Sequence, residues 1–460
     1  MNSFRSSYNT MKPAYLLVFV TLMLLPWVVL HNALPMLSLL AIAVILMIAK
    51  GSKGATFVIM AIALCIPHVS YKDSLTSLAF STHFAWLNRT IYLCLLASAL
   101  ILLFNNNGRK LNKTIKNLYL IVSIAWILAS LRFGVNEAVS CLWSFLVIPV
   151  FFWICQKDKV TWSDFYYMFT VIFLCVSFYA LLEFLFQINP YSSVLSRVSM
   201  FDDSLFAIRR ACGILGNPLL MTGFAMSYHT ILLVNYQRTG QISIPLLLLS
   251  MIVLFATGSR TAVYTVFIVW LIFIVYIGRV GRVKTNPVLV MLIAGVMLYC
   301  VAEMAFPDYL DFFFSRFGEG SEHREAGLQT ALNIWGANPW GVGRAGTEDA
   351  FLNFAADGFV TGMQTVDNAY LTFFITDGYL FFIPLLFYFF IPFYTLRLSF
   401  KNKQYKVAFV LLVPYLVCGL SFNINSFMQL NILYFGIAGH IYQIINKENL
   451  NGSLNHIGKL

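Results

Sequence analysis

The chain has 460 residues, of which 60% are apolar and 11% charged, with 30 Lys+Arg against 19 Asp+Glu. Soluble domains carry about 25% charged and about 45–50% apolar residues, so this composition excludes a water-soluble protein and equally a disordered, collagen-like or coiled-coil one. The formal charge of +11 reads as orientation in a membrane rather than nucleic-acid binding, and the expectation is an all-α, polytopic integral membrane protein.

A helix needs about 20 mainly apolar residues to cross the hydrocarbon. Runs of that kind lie near 14–30, 33–49, 55–70, 84–104, 118–132, 138–155, 165–187, 213–235, 243–257, 261–278, 287–306, 378–396, 406–422 and 428–446. With 55–70 and 118–132 short enough to be re-entrant, 12–14 transmembrane helices are predicted. The first run has no A-x-A cleavage site and leads straight into the second, so it reads as a retained helix. None of the eight cysteines forms a C-x-x-C pair, and the seven histidines lack H-x-x-H or H-x-x-x-H spacing. A disulfide framework or zinc site is therefore not expected.

Placing the N-terminus in the cytoplasm puts 20 of the 30 basic residues, and every lysine except Lys72, on inner segments. That is the positive-inside pattern, with both termini cytoplasmic. The outer side keeps nine arginines: Arg89, Arg132, Arg197, Arg209, Arg210, Arg260, Arg316, Arg324 and Arg344. A guanidinium fork grips phosphate bidentately, whereas an ammonium is a point charge. Arginines without lysines on an outer face point to anion recognition, and pairing with outer acids such as Glu322 or Glu325 is the plain alternative.

The spans divide the chain into N-terminal helices over 1–187, a first outer loop at 188–212, central helices over 213–306, a large outer loop at 307–366 and C-terminal helices over 367–460. Within the large loop a helix is predicted over 321–336, N-capped by Ser321 and stopped by Asn338-Pro339 before the turn Gly341-Val342-Gly343. The glycine-rich stretch 341–346 follows no strand and opens no βαβ unit, so the dinucleotide and Walker readings fail their context. Glu183 and Glu303, within or at the end of spans, are functional candidates by position, with salt bridges to Arg132 or Arg89 as the alternative. His229 and His440 read as hydrogen-bonded core histidines.

Four fragments stand out together. They are Arg210-Ala-Cys-Gly213-Ile-Leu-Gly-Asn217-Pro218, then Thr257-Gly258-Ser259-Arg260-Thr261-Ala262, then Arg324 leading to Pro339-Trp-Gly341-Val-Gly343, and Asp367-Asn368-Ala-Tyr370-Leu371 with Gly378 beyond. Their order and outer placement resemble the O-antigen ligase and O-antigen polymerase superfamily of bacterial surface-polysaccharide assembly. The resemblance covers roughly residues 205–395.

That resemblance implies a metal-independent, cofactor-free glycosyltransferase of the all-helical GT-C-like membrane type, in the bacterial inner membrane with its site facing the periplasm. Its donor and acceptor would be oligosaccharides on undecaprenyl pyrophosphate. Membrane lipids, a chain-length regulator and a flippase would be its partners, with no nucleic acid. The catalytic candidates are Arg210, Arg260, Arg324 and Asp367; Arg209, Asn217, Ser259, His323, Arg344, Asn368 and Tyr370 are the substrate-binding ones. Ligases of the family carry His directly before the Asn of the fourth motif. Here Asp367 stands there, and His323, beside Arg324, does not fill the place. A carboxylate can take or orient the acceptor's proton, or cap the following helix. The departure favours a polymerase over a ligase. A transporter or flippase is the other-class alternative, and it predicts repeats with matching broken spans, of which the sequence shows none.

Overall fold

A computed structural model describes residues 15–27, 34–49, 54–65, 113–134, 148–158, 160–191, 210–240, 242–277, 287–318, 321–343, 346–356, 368–380, 389, 397, 411–420 and 428–457. Regular structure among them is helical throughout. In chain order the helices are α1 (Tyr15–Trp27), α2 (Leu34–Ala49), α3 (Ala55–Cys65), α4 (Lys113–Phe133), α5 (Ile148–Lys157) and α6 (Trp162–Phe186). A 3₁₀ turn at Gly213–Leu215 precedes α7 (Pro218–Thr239), α8 (Ile244–Ala256), α9 (Arg260–Ile277) and α10 (Pro287–Ala305). Then come α11 (Pro307–Gly318), α12 (Ser321–Ala337), α13 (Thr347–Phe354), α14 (Ala369–Asp377), α15 (Val413–Gly419) and α16 (Met428–Ile457).

Local chemistry sets the ends. Thr161 and Asp164 form a reciprocal capping box at the start of α6, each side chain accepting from the other's backbone N–H. Gln187 closes that helix in the left-handed region, at φ 58°. Asn217 caps α7 through its side-chain oxygen, with Pro218 as the first helical residue, a position where the missing N–H costs nothing. Gly240, at φ 70°, ends α7.

Helix α7 is buried on nearly every face, which makes it the axis of the bundle. It packs against α6, α8, α9, α15 and α16, while α16 also lies along α5 and α3. Several buried polar groups find partners within this core. Trp270 Nε1 donates to His229 Nε2 at 2.9 Å, and His229 Nδ1 lies 2.9 Å from Ser250 Oγ, whose own proton goes to the Leu247 carbonyl. That chain assigns the neutral Nδ1–H tautomer. His440 stacks on Phe57 and meets Thr56 Oγ1 at 3.0 Å, and Thr56 in turn donates to Asp158. Both histidines are core residues held by hydrogen bonds.

Several predicted spans take a different form. Among the described residues only α6 is both long and apolar enough to cross a membrane; α1, α3, α8 and parts of α4 and α9 are apolar but shorter. Two of the runs are interrupted in the backbone, which composition does not report. The run 213–235 opens with the 3₁₀ turn and becomes helical only at Pro218, and the run beginning at 378 is preceded by a nine-residue helix ending at Asp377. The run at 118–132 is instead a 21-residue helix, α4. The run 84–104, and most of 378–396, lie outside the described residues. The helix predicted over 321–336 runs Ser321–Ala337, with Ser321 as its first residue rather than the residue before it.

Candidate functional site

The segment leading into α7 is fastened on two sides. At the front, Arg210 Nε donates to the Thr257 carbonyl at 3.0 Å and Ala211 N to the Ala256 carbonyl at 2.8 Å. This joins the first fragment to the Thr257-Gly258-Ser259-Arg260 turn between α8 and α9. Gly258 makes the approach possible. It sits at φ +60°, and a Cβ there would lie 3.3 Å from Arg210 Nε and 3.1 Å from the Tyr309 hydroxyl. Tyr309, from α11, donates to the Phe255 carbonyl at 2.6 Å. From the core side, Thr222 of α7 donates to Thr257 Oγ1 at 2.9 Å. Ser259 is buried and Arg260 half-buried at the first turn of α9, where a helix N-terminus adds partial positive charge.

At the rear, Glu183 of α6 accepts three hydrogen bonds. Its donors are Cys212 N at 2.7 Å, Gly213 N at 2.6 Å and Asn189 Nδ2 at 2.9 Å. The sequence marks Glu183 as a candidate with boundary arginines as partners; the structure gives it backbone amides and an asparagine instead. Burial holds the Cys212 thiol well above its usual range, with the Glu183 carboxylate adding to the shift and Arg210 opposing it.

Beyond α11, the large loop docks elsewhere on the same molecule. Helices α12 and α13 pack on α14 around Ala331, Ile334, Phe351 and Ile375. The turn after α12 is clasped to the end of α14 by main-chain bonds. Val342 N donates to the Ile375 carbonyl at 3.1 Å, Gly343 N to Thr376 at 3.0 Å and Tyr379 N to Pro339 at 2.9 Å. Gly341 and Gly378 face each other across this joint at φ +84° and +55°, and a Cβ on either would fall on the other strand of the joint. Arg132 Nη1, at the end of α4, donates to the Trp340 carbonyl at 3.1 Å. Trp335 stacks on Phe374, with ring centroids 4.9 Å apart.

The predicted residues fall accordingly. Arg210, Ser259 and Arg260 meet at the α8–α9 turn. Arg324 is exposed on α12, whose packing is to α14 and α13. Asn217 and Asn368 cap α7 and α14, so the cap of the fourth fragment is Asn368, not Asp367. Asn368 Nδ2 also donates to the Leu420 carbonyl, and the Tyr370 hydroxyl to Leu416 at 2.7 Å. Arg209, Arg344 and Asp367, and the side chain of His323, lie outside the described residues. Asn189, Tyr309 and Arg132 are contributors the sequence did not single out for this site, because their partners are carbonyls and amides that leave no residue pattern.

Beside the turn runs a groove of about 500 Å³ between α8, α9, α10 and α11, walled by Leu254, Phe255, Ala262, Val266, Trp270 and Leu310 among other apolar side chains. Phe255 and Ala262 flank the turn itself, so one end of the groove reaches the arginine-bearing segment. Such a site suits an amphiphile with an anionic head and an apolar tail.

A search of curated proteins returns no match. Residues 245–386, which run from α8 through the α8–α9 turn, the docked loop and Gly378, match the family model described as O-antigen ligase, so it is this stretch of the chain that is similar to that family.

Proposed function

We propose that the protein is an inner-membrane glycosyltransferase that polymerises undecaprenyl-pyrophosphate-linked oligosaccharide repeat units into a surface polysaccharide at the periplasmic face. The observation that carries this reading is the hydrogen bond that seats Arg210 on the turn carrying Arg260, at one end of the apolar groove. In the reaction an acceptor hydroxyl oxygen bonds to the donor's anomeric carbon while the bond from that carbon to the pyrophosphate oxygen breaks. The electron pair leaves on the pyrophosphate, and the hydroxyl proton passes to a base, the role assigned to Asp367. Arginine forks fixed in advance meet the charge that develops on the leaving group, without recruiting a metal ion. The lipid tail gains little affinity from the groove, because it exchanges one apolar environment for another; the groove orients it. Large apolar side chains exposed along α4, α9 and α10, such as Leu131, Phe267 and Val296, fit lipid contact.

A deletion strain tests the reaction. One repeat unit on the lipid A-core supports the polymerase; absent attached sugar with accumulating lipid-linked polymer supports the ligase instead. Asp367 before Asn368, where the ligases carry His, favours the first outcome.

A further inference from the structure

Glu183 is 5% exposed near the C-terminal end of α6, and the chemistry above gives it no task. A buried carboxylate is costly unless its acceptor sites are filled, so the identity of what fills them is informative. Its own helix does not need it. The terminal carbonyls of Glu183 and Leu182 are taken by Gln187 N and Ile188 N at 2.8 and 3.4 Å. The carboxylate reaches across to another segment, where two successive amides, Cys212 N and Gly213 N, converge on its Oε2 at 2.7 and 2.6 Å. Gly213, at φ +57°, lies against Ala180 of the same helix, a Cβ there coming within 3.4 Å of its backbone.

The other oxygen, Oε1, accepts from Asn189 Nδ2 at 2.9 Å. Asn189 cannot turn its amide over. Its Oδ1 accepts from Tyr191 N at 2.8 Å and its Nδ2 also donates to the Gly213 carbonyl at 3.0 Å. The pair thus holds residues 212–213 from behind, while the bonds of Arg210 and Ala211 to Thr257 and Ala256 hold the next two residues from the front. Four consecutive residues are pinned between α6 and the α8–α9 turn.

We propose that Glu183, locked by Asn189, is a positioning residue that fixes the backbone from which Arg210 reaches the α8–α9 turn. It touches no reacting atom. The proposal rests on the reading of Arg210 as a donor to the leaving pyrophosphate.

Glutamine at 183 keeps size and shape but must turn an NH₂ either to the two backbone amides or to Asn189 Nδ2, so a donor faces a donor in both orientations. Adding Asn189→Asp supplies an acceptor opposite the new NH₂, keeps the acceptor for Tyr191 N and restores the net charge, but it loses the bond from Asn189 Nδ2 to the Gly213 carbonyl, so its rescue is partial. Cys212, buried between the pins, reports on them directly through its rate of alkylation by N-ethylmaleimide, followed by peptide-resolved mass spectrometry.

With purified full-length protein in lipid nanodiscs and lipid-linked repeat units, Glu183→Gln is expected to lower kcat on the order of 10–10²-fold, as small displacements of catalytic groups do. KM should hold, and Cys212 alkylation should rise about tenfold or more. Glu183→Gln/Asn189→Asp should bring both part of the way back towards the starting protein, since the bond to the Gly213 carbonyl stays lost. Unchanged kcat in Glu183→Gln, or lost activity with Cys212 still protected, overturns the proposal. Should Glu183→Gln fail to accumulate, Asn189→Ala decides, since it removes the lock alone; normal kcat and normal Cys212 protection there overturn the proposal as well. Arg210→Lys in parallel separates the two readings. Full polymer from that variant defeats the role of Arg210, whereas the Cys212 rates still judge the pinning by Glu183.

Discussion

Substituting Gly341 by alanine should release the large loop from α14. The residue sits at φ +84°, and a Cβ would fall on the Thr376 carbonyl oxygen and within 2.7 Å of Gly378 N, all backbone atoms. Left-handed geometry alone costs a non-glycine residue roughly 1–2 kcal/mol, and overlap with a carbonyl costs far more, so the joint opens instead of absorbing it. Opening is limited to what the joint contributes. Three cross-joint bonds, from Val342 N, Gly343 N and Tyr379 N, are worth about 1 kcal/mol each, or about 3 kcal/mol together. That corresponds to a shift in the closed population of about 10². Hydrogen–deuterium exchange of peptides covering 338–343 and 375–380 should accelerate by about that factor, while α6 and α7 keep their protection and the protein accumulates normally. Polymer formation should fall in parallel. Wild-type exchange at Val342 and Gly343 in Gly341→Ala would refute the steric argument, and faster exchange with full-length polymer would show that the docked loop is not needed for the reaction.

Arg260→Lys and Arg324→Lys should each cut polymer formation on the order of 10²–10³-fold at normal protein level, the usual loss for a transition-state donor; full-length polymer from both would show that bidentate geometry is not required. Reporter fusions at residue 340 should report the periplasm, and a cytoplasmic signal would put the lipid-linked substrate on the wrong face. Gly295, which lines the groove with open space around its Cβ position, can take Gly295→Phe without loss of fold. The added ring should fill the groove and slow turnover of the lipid-linked substrate, and unchanged kcat/KM would remove the groove from the substrate's path.

Local signals in the sequence were legible where one or two residues decide the outcome. Asn338-Pro339 ends α12 as expected, and Asn217-Pro218 begins α7. Of the three arginines that the motifs suggest should converge, Arg210 is seated on the turn that carries Arg260, whereas Arg324 lies on α12, which packs on α14 and α13. Helix breaks inside apolar runs were not: hydropathy records that 213–217 is apolar, not that Gly213 and Gly216 take positive φ and delay the helix. The capping role offered as the alternative for Asp367 falls to Asn368, since both residues suit an N-cap and only the backbone turn selects between them. Glu183 was conspicuous as an acid in a span, yet its partners were misread, because a carboxylate bound by main-chain amides has no charged counterpart to find. The clasp was invisible for the same reason: its bonds join residues more than thirty positions apart through atoms that every residue possesses.

That anonymity has a consequence for how the protein can change. A joint built from carbonyls and amides, braced by Arg132 on the Trp340 carbonyl, asks for two glycines and a proline turn but places almost no demand on the outward face of α12 or on α13. Leu328, Leu332 and Leu352 are exposed there, and none of them contributes to the clasp. The hairpin of α12 and α13 is therefore attached in the manner of an interchangeable head on a fixed handle, whose solvent-facing residues other than Arg324 can change without disturbing how the head is mounted.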